Sequence, residues 1–282
     1  MRSAFYSNAA KQLELLPPQV FNKKTLQQQL SAEYPWLLSD SVSRRPFPSL
    51  WQAFKQRSYR GIAMEKCQTL LTTAYSFPTD FIRDAAVTLE NAFSALNSFP
   101  SDSSDEIWMD RLSPWMVDGL SKRFLSGNRA LRSQHHSACL LPAHSWQHSL
   151  VLSDIHITHG PMPAPADYVA QDWFPFYRLM IPSSDAGLEG HPAQKQVLKQ
   201  AKDDGVFIRV TCVLDCPVEL VICDTATQIP VLRDTRKRVS FEFVSPHFEP
   251  TDEIFDIMPD GSFRLGWNWK LCDIDSLMRP QS

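Results

Sequence analysis

The chain between residues 62 and 130 carries apolar residues at helical spacing. Apolar positions recur every three or four residues over 62–75, which predicts a helix closed by Pro78. A second helix is predicted to begin near Thr79 and to bury one apolar face. A third is predicted with Ser113 as its N-cap and Gly127 just past its end. The third helix is expected to bury Trp115, Met116, Leu120 and Phe124.

Beyond residue 145 the spacing of apolar residues changes from helical to alternating, which is typical of strands with one buried face. The clearest case is 263–274, where five apolar residues, Trp267 and Trp269 among them, share one side. A helix at about 193–203 interrupts this part of the chain. The predicted strands are 148–158, 205–214, 218–223, 229–234, 238–244 and 263–274. Helices followed by a meandering antiparallel sheet predict an α+β fold.

Charge divides the chain at about residue 60. Residues 1–60 carry nine Lys or Arg against three acids, a net charge of +6, whereas the remainder carries a net charge of −9. We therefore expect two parts: a basic, Pro-containing extended arm over 1–60 and a single α+β domain over 61–278. A basic arm on an acidic body favours contact with RNA phosphate or lipid headgroups, and the alternative is a solvated extension. No contact with DNA is expected.

Two groups of basic residues are candidates for contact with an anionic partner. In the arm they are Lys23, Lys24, Arg44, Arg45, Lys55, Arg57 and Arg60. At a predicted hairpin tip they are Arg233, Arg236, Lys237 and Arg238, for which an ordinary solvated turn is the alternative. No apolar run approaches the ~18–20 residues that span a bilayer. The residues before Glu14, the first acid, are basic and hydroxylated like an organelle transit peptide.

Six of the eight histidines fall within 133–160, which raises the question of a metal site. A strand over 148–158 would place His148 and His156 roughly 26 Å apart, too far to share a metal ion. His144 and His148 have the spacing of zinc ligands on a helix, but no Glu lies between them. We predict no metal site and no cofactor, and a strand that points His156 and His159 to opposite faces. The six cysteines form no CxxC pair and are expected to be reduced thiols.

The closing strand carries Trp269, Leu271, Asp273 and Ile274, and 205–244 precedes it as a run of strands. These features resemble the C-terminal domain superfamily of the mitochondrial import-motor anchor, whose relatives include a mitoribosomal large-subunit protein and a membrane receptor for mitoribosomes. The resemblance covers about residues 62–275. It implies a nuclear-transport-factor-two-like cone, in which N-terminal helices pack on a strongly bent antiparallel sheet. It also implies a location in the mitochondrial matrix, peripheral on the inner membrane.

Residues 1–60 do not resemble the long coiled N-terminal region of the import-motor anchor, and the basic arm found there favours the ribosome-tethering branch over the import motor. The function expected is a non-enzymatic tethering or assembly factor that supports membrane protein insertion or translation. Its expected partners are the mitoribosomal large subunit and anionic inner-membrane lipid. The alternative is a small-molecule enzyme of the dehydratase or isomerase kind, or a lipid-binding protein, that uses the cone as its pocket. An acid or histidine at the base of an open cone would favour that alternative.

Overall fold

The structure is a computed structural model that describes residues 50–71, 75–98, 104–142, 149–186, 192–236, 238–249, 254–257, 259, 263–275 and 277–278. Its helices are α1 (Leu50–Leu70), α2 (Thr79–Asn97), α3 (Asp105–Leu112), α4 (Asp118–Ser133) and α5 (Pro192–Asp203). Its strands are β1 (His136–Pro142), β2 (Leu150–His159), β3 (Tyr168–Phe174), β4 (Tyr177–Pro182), β5 (Val206–Leu214), β6 (Val218–Asp224), β7 (Pro230–Arg236), β8 (Val239–Val244), β9 (Phe255–Ile257), β10 (Phe263–Leu265) and β11 (Lys270–Ile274). The predicted α+β class is confirmed.

Helix α2 begins at Thr79 as predicted, and helix α5 matches the helix predicted at 193–203. Helix α1, by contrast, begins at Leu50, inside the range expected to be an extended arm. Contacts with the sheet help to hold the turns of α1 that precede the helix predicted over 62–75. The Tyr59 ring lies 6.0 Å from the Phe176 ring, and Arg60 Nη1 donates a hydrogen bond to the Leu152 carbonyl at 3.2 Å.

The helix predicted between Ser113 and Gly127 is wrong at both ends. The structure has two helices here, α3 and α4, and Gly127 is buried within α4. The chain leaves the helical path at Met116, which forms a parallel bridge with Leu271 of β11: Leu271 N donates to the Trp115 carbonyl, and Val117 N donates to the Leu271 carbonyl. These long-range hydrogen bonds outweigh the local helical signal. The predicted burial of Met116, Leu120 and Phe124 is confirmed, whereas Trp115 is only partly buried.

The strands form a six-stranded sheet in the order β11-β8-β5-β2-β4-β3, a three-stranded sheet β1-β6-β7 and the pair β9-β10. The expectation of a purely antiparallel sheet is wrong at one place, because β2 and β4 run parallel. After β2 the chain passes to the edge strand β3 and turns back as β4, which therefore lies between them in the direction of β2. Strands β1, β3, β4 and β9 were not predicted. The cone shape stays a prediction.

The single strand predicted over 263–274 is two strands. Strand β10 pairs with β9, whereas β11 pairs with β8, so the backbone between Leu265 and Lys270 joins two different sheets. The alternation nevertheless holds at Leu265, Trp269 and Leu271, which are all buried. A register shift in β11 also buries Asp273, whose Oδ1 accepts hydrogen bonds from the backbone N–H groups of residues 274 and 278.

Helix α2 packs its apolar face against the six-stranded sheet. The Phe81 ring meets Trp269 edge-on, with ring centroids 4.8 Å apart, and meets Phe243 at 5.9 Å. Phe93 lies 6.0 Å from Phe241 of β8. Helix α5 covers β4 through a small separate cluster in which Leu179, Ile181 and Ala201 are buried. One main core therefore lies between the N-terminal helices and the sheets.

Candidate functional site

The candidate residues of the arm divide into three groups. Lys23, Lys24, Arg44 and Arg45 lie outside the described residues. Lys55 lies in α1, and the structure does not describe its side chain. Arg57 is exposed to solvent, whereas the half-buried Arg60 holds the Leu152 carbonyl. Arg57 is therefore available to an anionic partner, while Arg60 also joins α1 to β2.

The second basic cluster is not placed as expected. Arg233 and Arg236 lie within β7, and β7 and β8 belong to different sheets, so no hairpin tip joins them. The backbone pairing between β6 and β7 extends as far as Arg236, so Arg233 and Arg236 are both strand residues. Arg233 lies 3.7 Å from Glu219 in an ion pair, and Arg238 is exposed just before β8. Lys237 lies outside the described residues.

Of the described histidines within 133–160, His136 lies in β1, and His156 and His159 lie in β2. His144 and His148 lie outside the described residues. As predicted, His156 and His159 point to opposite faces of β2: His156 is exposed and 3.1 Å from Asp154, whereas His159 is buried. Within the described parts of the chain, no group of three or more His, Cys, Asp or Glu side chains could hold a metal ion.

The face of the six-stranded sheet that meets the helices is filled. Ile157, Ile208, Val210, Phe241 and Phe243 have no exposed surface at all. Side chains without exposed surface are packed against one another as in a protein interior. In the described residues this side of the sheet is core, which is the arrangement that the aromatic residues of the closing strand predicted.

Asp84, on α2, is a half-buried carboxyl group beside this core. Trp269 Nε1 donates to the Tyr75 hydroxyl at 3.1 Å, and that hydroxyl in turn donates to Asp84 Oδ2 at 2.9 Å. Burial raises the pKa of Asp84, and it also raises the pKa of Tyr75. Gln68 fixes the same turn, because its side chain bonds the Tyr75 carbonyl and the Phe77 N–H. These hydrogen bonds join the α1–α2 connection to the closing strand, a structural role.

The opposite face of the large sheet carries ion pairs between residues of neighbouring strands. Arg178 makes two hydrogen bonds to Asp172 across the β3–β4 hairpin, at 2.6 and 3.1 Å, and these lower the pKa of the Asp172 carboxyl. Arg209 lies 3.9 Å from Glu242 on the neighbouring strands. A face with paired charges of both signs has little net attraction for an anion.

One apolar group stands out on the surface, at the tip of the β3–β4 hairpin. Phe174 is 52% exposed, and its ring stacks on the buried ring of Phe176 at 5.7 Å and 13°. Pro175 forms the exposed turn between them. Since Phe176 also contacts Tyr59 of α1, an aromatic row runs from the core to the surface.

Comparison with known proteins gives no family. No protein-family model matches the chain, and no curated protein matches it. No helix in the described part of the chain has the length and apolar character that a membrane crossing requires. The function must therefore be argued from the surfaces and the core.

The hairpin tip is the feature that the sequence interpretation missed. Its signal is "WFPFY" at 173–177, four aromatic residues around one proline between polar neighbours. A proline in the middle of an aromatic run indicates a turn, which presents some of those rings to solvent. The alternation of apolar and polar residues does not reveal this hairpin tip, because β3 is an edge strand with mixed burial.

Proposed function

We propose that this chain is a non-enzymatic tethering or assembly factor that associates with the mitoribosomal large subunit and the matrix face of the inner membrane. The basic arm contacts rRNA phosphate and anionic lipid, and the α+β domain presents protein surfaces. In this role the protein supports membrane protein insertion or translation.

The observation that carries the proposal is the filled face of the large sheet. An enzyme or lipid carrier built on a cone needs an open cavity, because its ligand must replace most of its hydration shell with protein contacts. In this chain the face of the large sheet that meets the helices carries fully buried side chains such as Ile208 and Phe241. The polar side chains next to it bond to the protein itself: Thr88 donates to the Trp269 carbonyl, and Asp84 accepts from Tyr75. This favours a protein that works through its surface.

Charge distribution supports an anionic partner. The +6 charge of residues 1–60 contrasts with the acidic remainder, and the exposed Arg57 continues that charge onto α1. Attraction to a polyanion is sensitive to salt, because bound counterions are released. The resemblance of the closing strand to the import-motor anchor superfamily supports the mitochondrial assignment.

The proposal is tested by sedimenting the purified full chain with mitoribosomal large subunits over a series of salt concentrations. The test variant replaces Lys23, Lys24, Arg44 and Arg45 with Gln. For about four phosphate contacts, a fourfold rise in salt should lower the association constant of the wild type about hundredfold. The variant should bind weakly and with a much smaller salt dependence.

The matched control removes four exposed lysines from the domain instead. Its replaced residues are Lys122, Lys195, Lys199 and Lys270, all to Gln. The control should keep both the affinity and the salt dependence of the wild type. Equal losses in the two variants would show that only overall charge matters, and the assignment to the arm would be wrong.

A further inference from the structure

Strand β3 forms one edge of the six-stranded sheet, and in the described part of the chain it pairs only with β4. Ser183 N donates to the Asp167 carbonyl at 2.7 Å, which marks a hydrogen-bonded position at the start of the β3–β4 pairing. Because backbone groups alternate in direction along a strand, the odd-numbered residues that follow also bond to β4. The N–H and C=O groups of Ala170 and Asp172 therefore point away from the sheet.

The hydrogen bonds on the other side of β4 support this orientation. Ile157 N donates to the Phe176 carbonyl at 2.8 Å, so the even-numbered residues of β4 bond to β2. The odd-numbered residues of β4 then bond to β3, and Leu179 is indeed paired with the odd-numbered Gln171. Both neighbours of β4 thus agree on which backbone groups of β3 are open.

The open edge of β3 has little protection against pairing with another strand. Sheet edges are commonly protected by lysine or proline, and β3 contains neither. Its one charged residue, Asp172, is bound to Arg178 of the same hairpin. A bulge follows Asp172, so that 168–172 remain regular. Val169 is 37% exposed, and the exposed Phe174 ends the same strand, so the edge also offers apolar surface.

We propose that two copies of this chain associate by antiparallel pairing of their β3 strands around a twofold axis at Gln171. In this register Ala170 of each copy exchanges two backbone hydrogen bonds with Asp172 of the other copy. The two Gln171 side chains lie directly opposite each other at the axis. The large sheets of the two copies then join into one continuous sheet.

The side chains of β3 favour a second copy as the partner. A twofold interface uses the same surface on both sides, so the strand must complement itself. Val169 of one copy lies opposite Trp173 of the other, and pairs of β-branched and aromatic residues stabilise antiparallel strands. Both side chains belong to the sheet face under α5, because Val169 is paired with Ile181 and Trp173 packs against the cluster that contains Ile181. Asp172 lies opposite Ala170, so no like charges meet.

The test is analytical ultracentrifugation of the full chain at high salt, where attraction by the basic arm is screened. The wild type should show a dimer fraction that rises with protein concentration. Gln171→Lys and Gln171→Glu should each weaken the dimer at least about tenfold, because two like charges would lie about 5 Å apart at the axis. An equimolar mixture of the two variants should restore the dimer, because opposite charges then meet.

Gln134→Lys and Gln134→Glu are the matched controls, since Gln134 is exposed at the end of α4, where the chain enters the three-stranded sheet. Each should dimerise like the wild type. Ala170→Pro is a further variant that removes an outward N–H group while leaving the hydrogen bonds between β3 and β4 intact. It should be monomeric. Unchanged circular dichroism of each variant excludes loss of the fold as the cause.

The outcomes separate this proposal from the proposed function. A wild type that stays monomeric at every concentration overturns the dimer. Gln171 variants that dimerise like the wild type also overturn it, as does a mixture that fails to restore the dimer, because the axis would then not lie at Gln171. A dimeric wild type that does not sediment with mitoribosomes refutes the tether and leaves the β3 interface standing.

Discussion

His159 is predicted to make the stability of the fold dependent on pH. It lies at the end of β2 beneath α5, is 3% exposed, and its ring lies 5.1 Å from Tyr177. Burial lowers the pKa of His159 to about 4; the nearby charge of Lys202 adds to this effect, and a hydrogen bond to the Gly205 backbone opposes it. Its Nδ1 is buried without a hydrogen-bond partner among the described residues. Protonation would place a charge in this site.

The size of the effect follows from the two pKa values. An unfolded chain binds a proton at His159 below about pH 6.5, whereas the folded protein binds it only near pH 4. The contribution of the neutral His159 ring to the free energy of unfolding is therefore fully present above pH 6.5. It is lost as the pH falls towards 4. Between about pH 7.5 and pH 5 this one group should lower the free energy of unfolding by about 2 kcal/mol.

Urea unfolding of the wild type and of His159→Phe and His159→Gln, at both pH values, measures this directly. Neither variant titrates at position 159, so each should lose about 2 kcal/mol less than the wild type on acidification, whatever its stability at neutral pH. Val151→Gln, at an exposed position of the same strand, is the control and should lose as much stability on acidification as the wild type. Losses equal to the wild type within about 0.5 kcal/mol would refute the burial of His159 under α5.

Two further predictions concern the core and the backbone. Gly160→Ala should cost at least about 2 kcal/mol, because φ is +115° there and a Cβ would lie 2.6 Å from the Met180 carbonyl oxygen. Gly61→Ala, within α1 with nothing inside 4 Å, should instead stabilise by about 0.5–1 kcal/mol. Phe81→Ala should cost about 3–5 kcal/mol, whereas Val87→Ala on the exposed side of the same helix should change stability by less than about 1 kcal/mol. Urea midpoints decide all four, and a Gly160 variant as stable as the wild type would contradict the geometry.

The parts of the fold that could be predicted are those in which local pattern and burial agree. Strand β5 alternates because residues such as Ile208 and Val210 lie in the core, whereas Arg209 and Val213 on the other side are exposed or partly exposed, and α2 shows a continuous apolar stripe. Strand β1 could not be predicted in this way. Its edge is held by Asn97, whose amide accepts from Leu140 N at 2.7 Å and donates to the Leu140 carbonyl at 2.8 Å. A contact between residues so far apart leaves no periodic signal.

The candidate surfaces could be predicted only in part. Charge counting finds Arg57, because the excess of basic residues is a property of composition. The same count also selects Arg233, which the structure places in a strand beside Glu219. A charge count does not detect this ion pair, because the pair depends on the register of β6 and β7. Phe174 was missed, because exposure at a hairpin tip depends on the stacking of Phe176 and on the pairing of Arg178 with Asp172.

The central claim is that the chain is a tether held to the mitoribosome by an electrostatic arm. The most direct test is sedimentation of the native protein from a mitochondrial detergent lysate through a sucrose gradient, with large-subunit markers, at low and high salt. The account predicts migration with the large subunit at low salt and release to the top of the gradient at high salt. Migration at the top of the gradient under both conditions would contradict it.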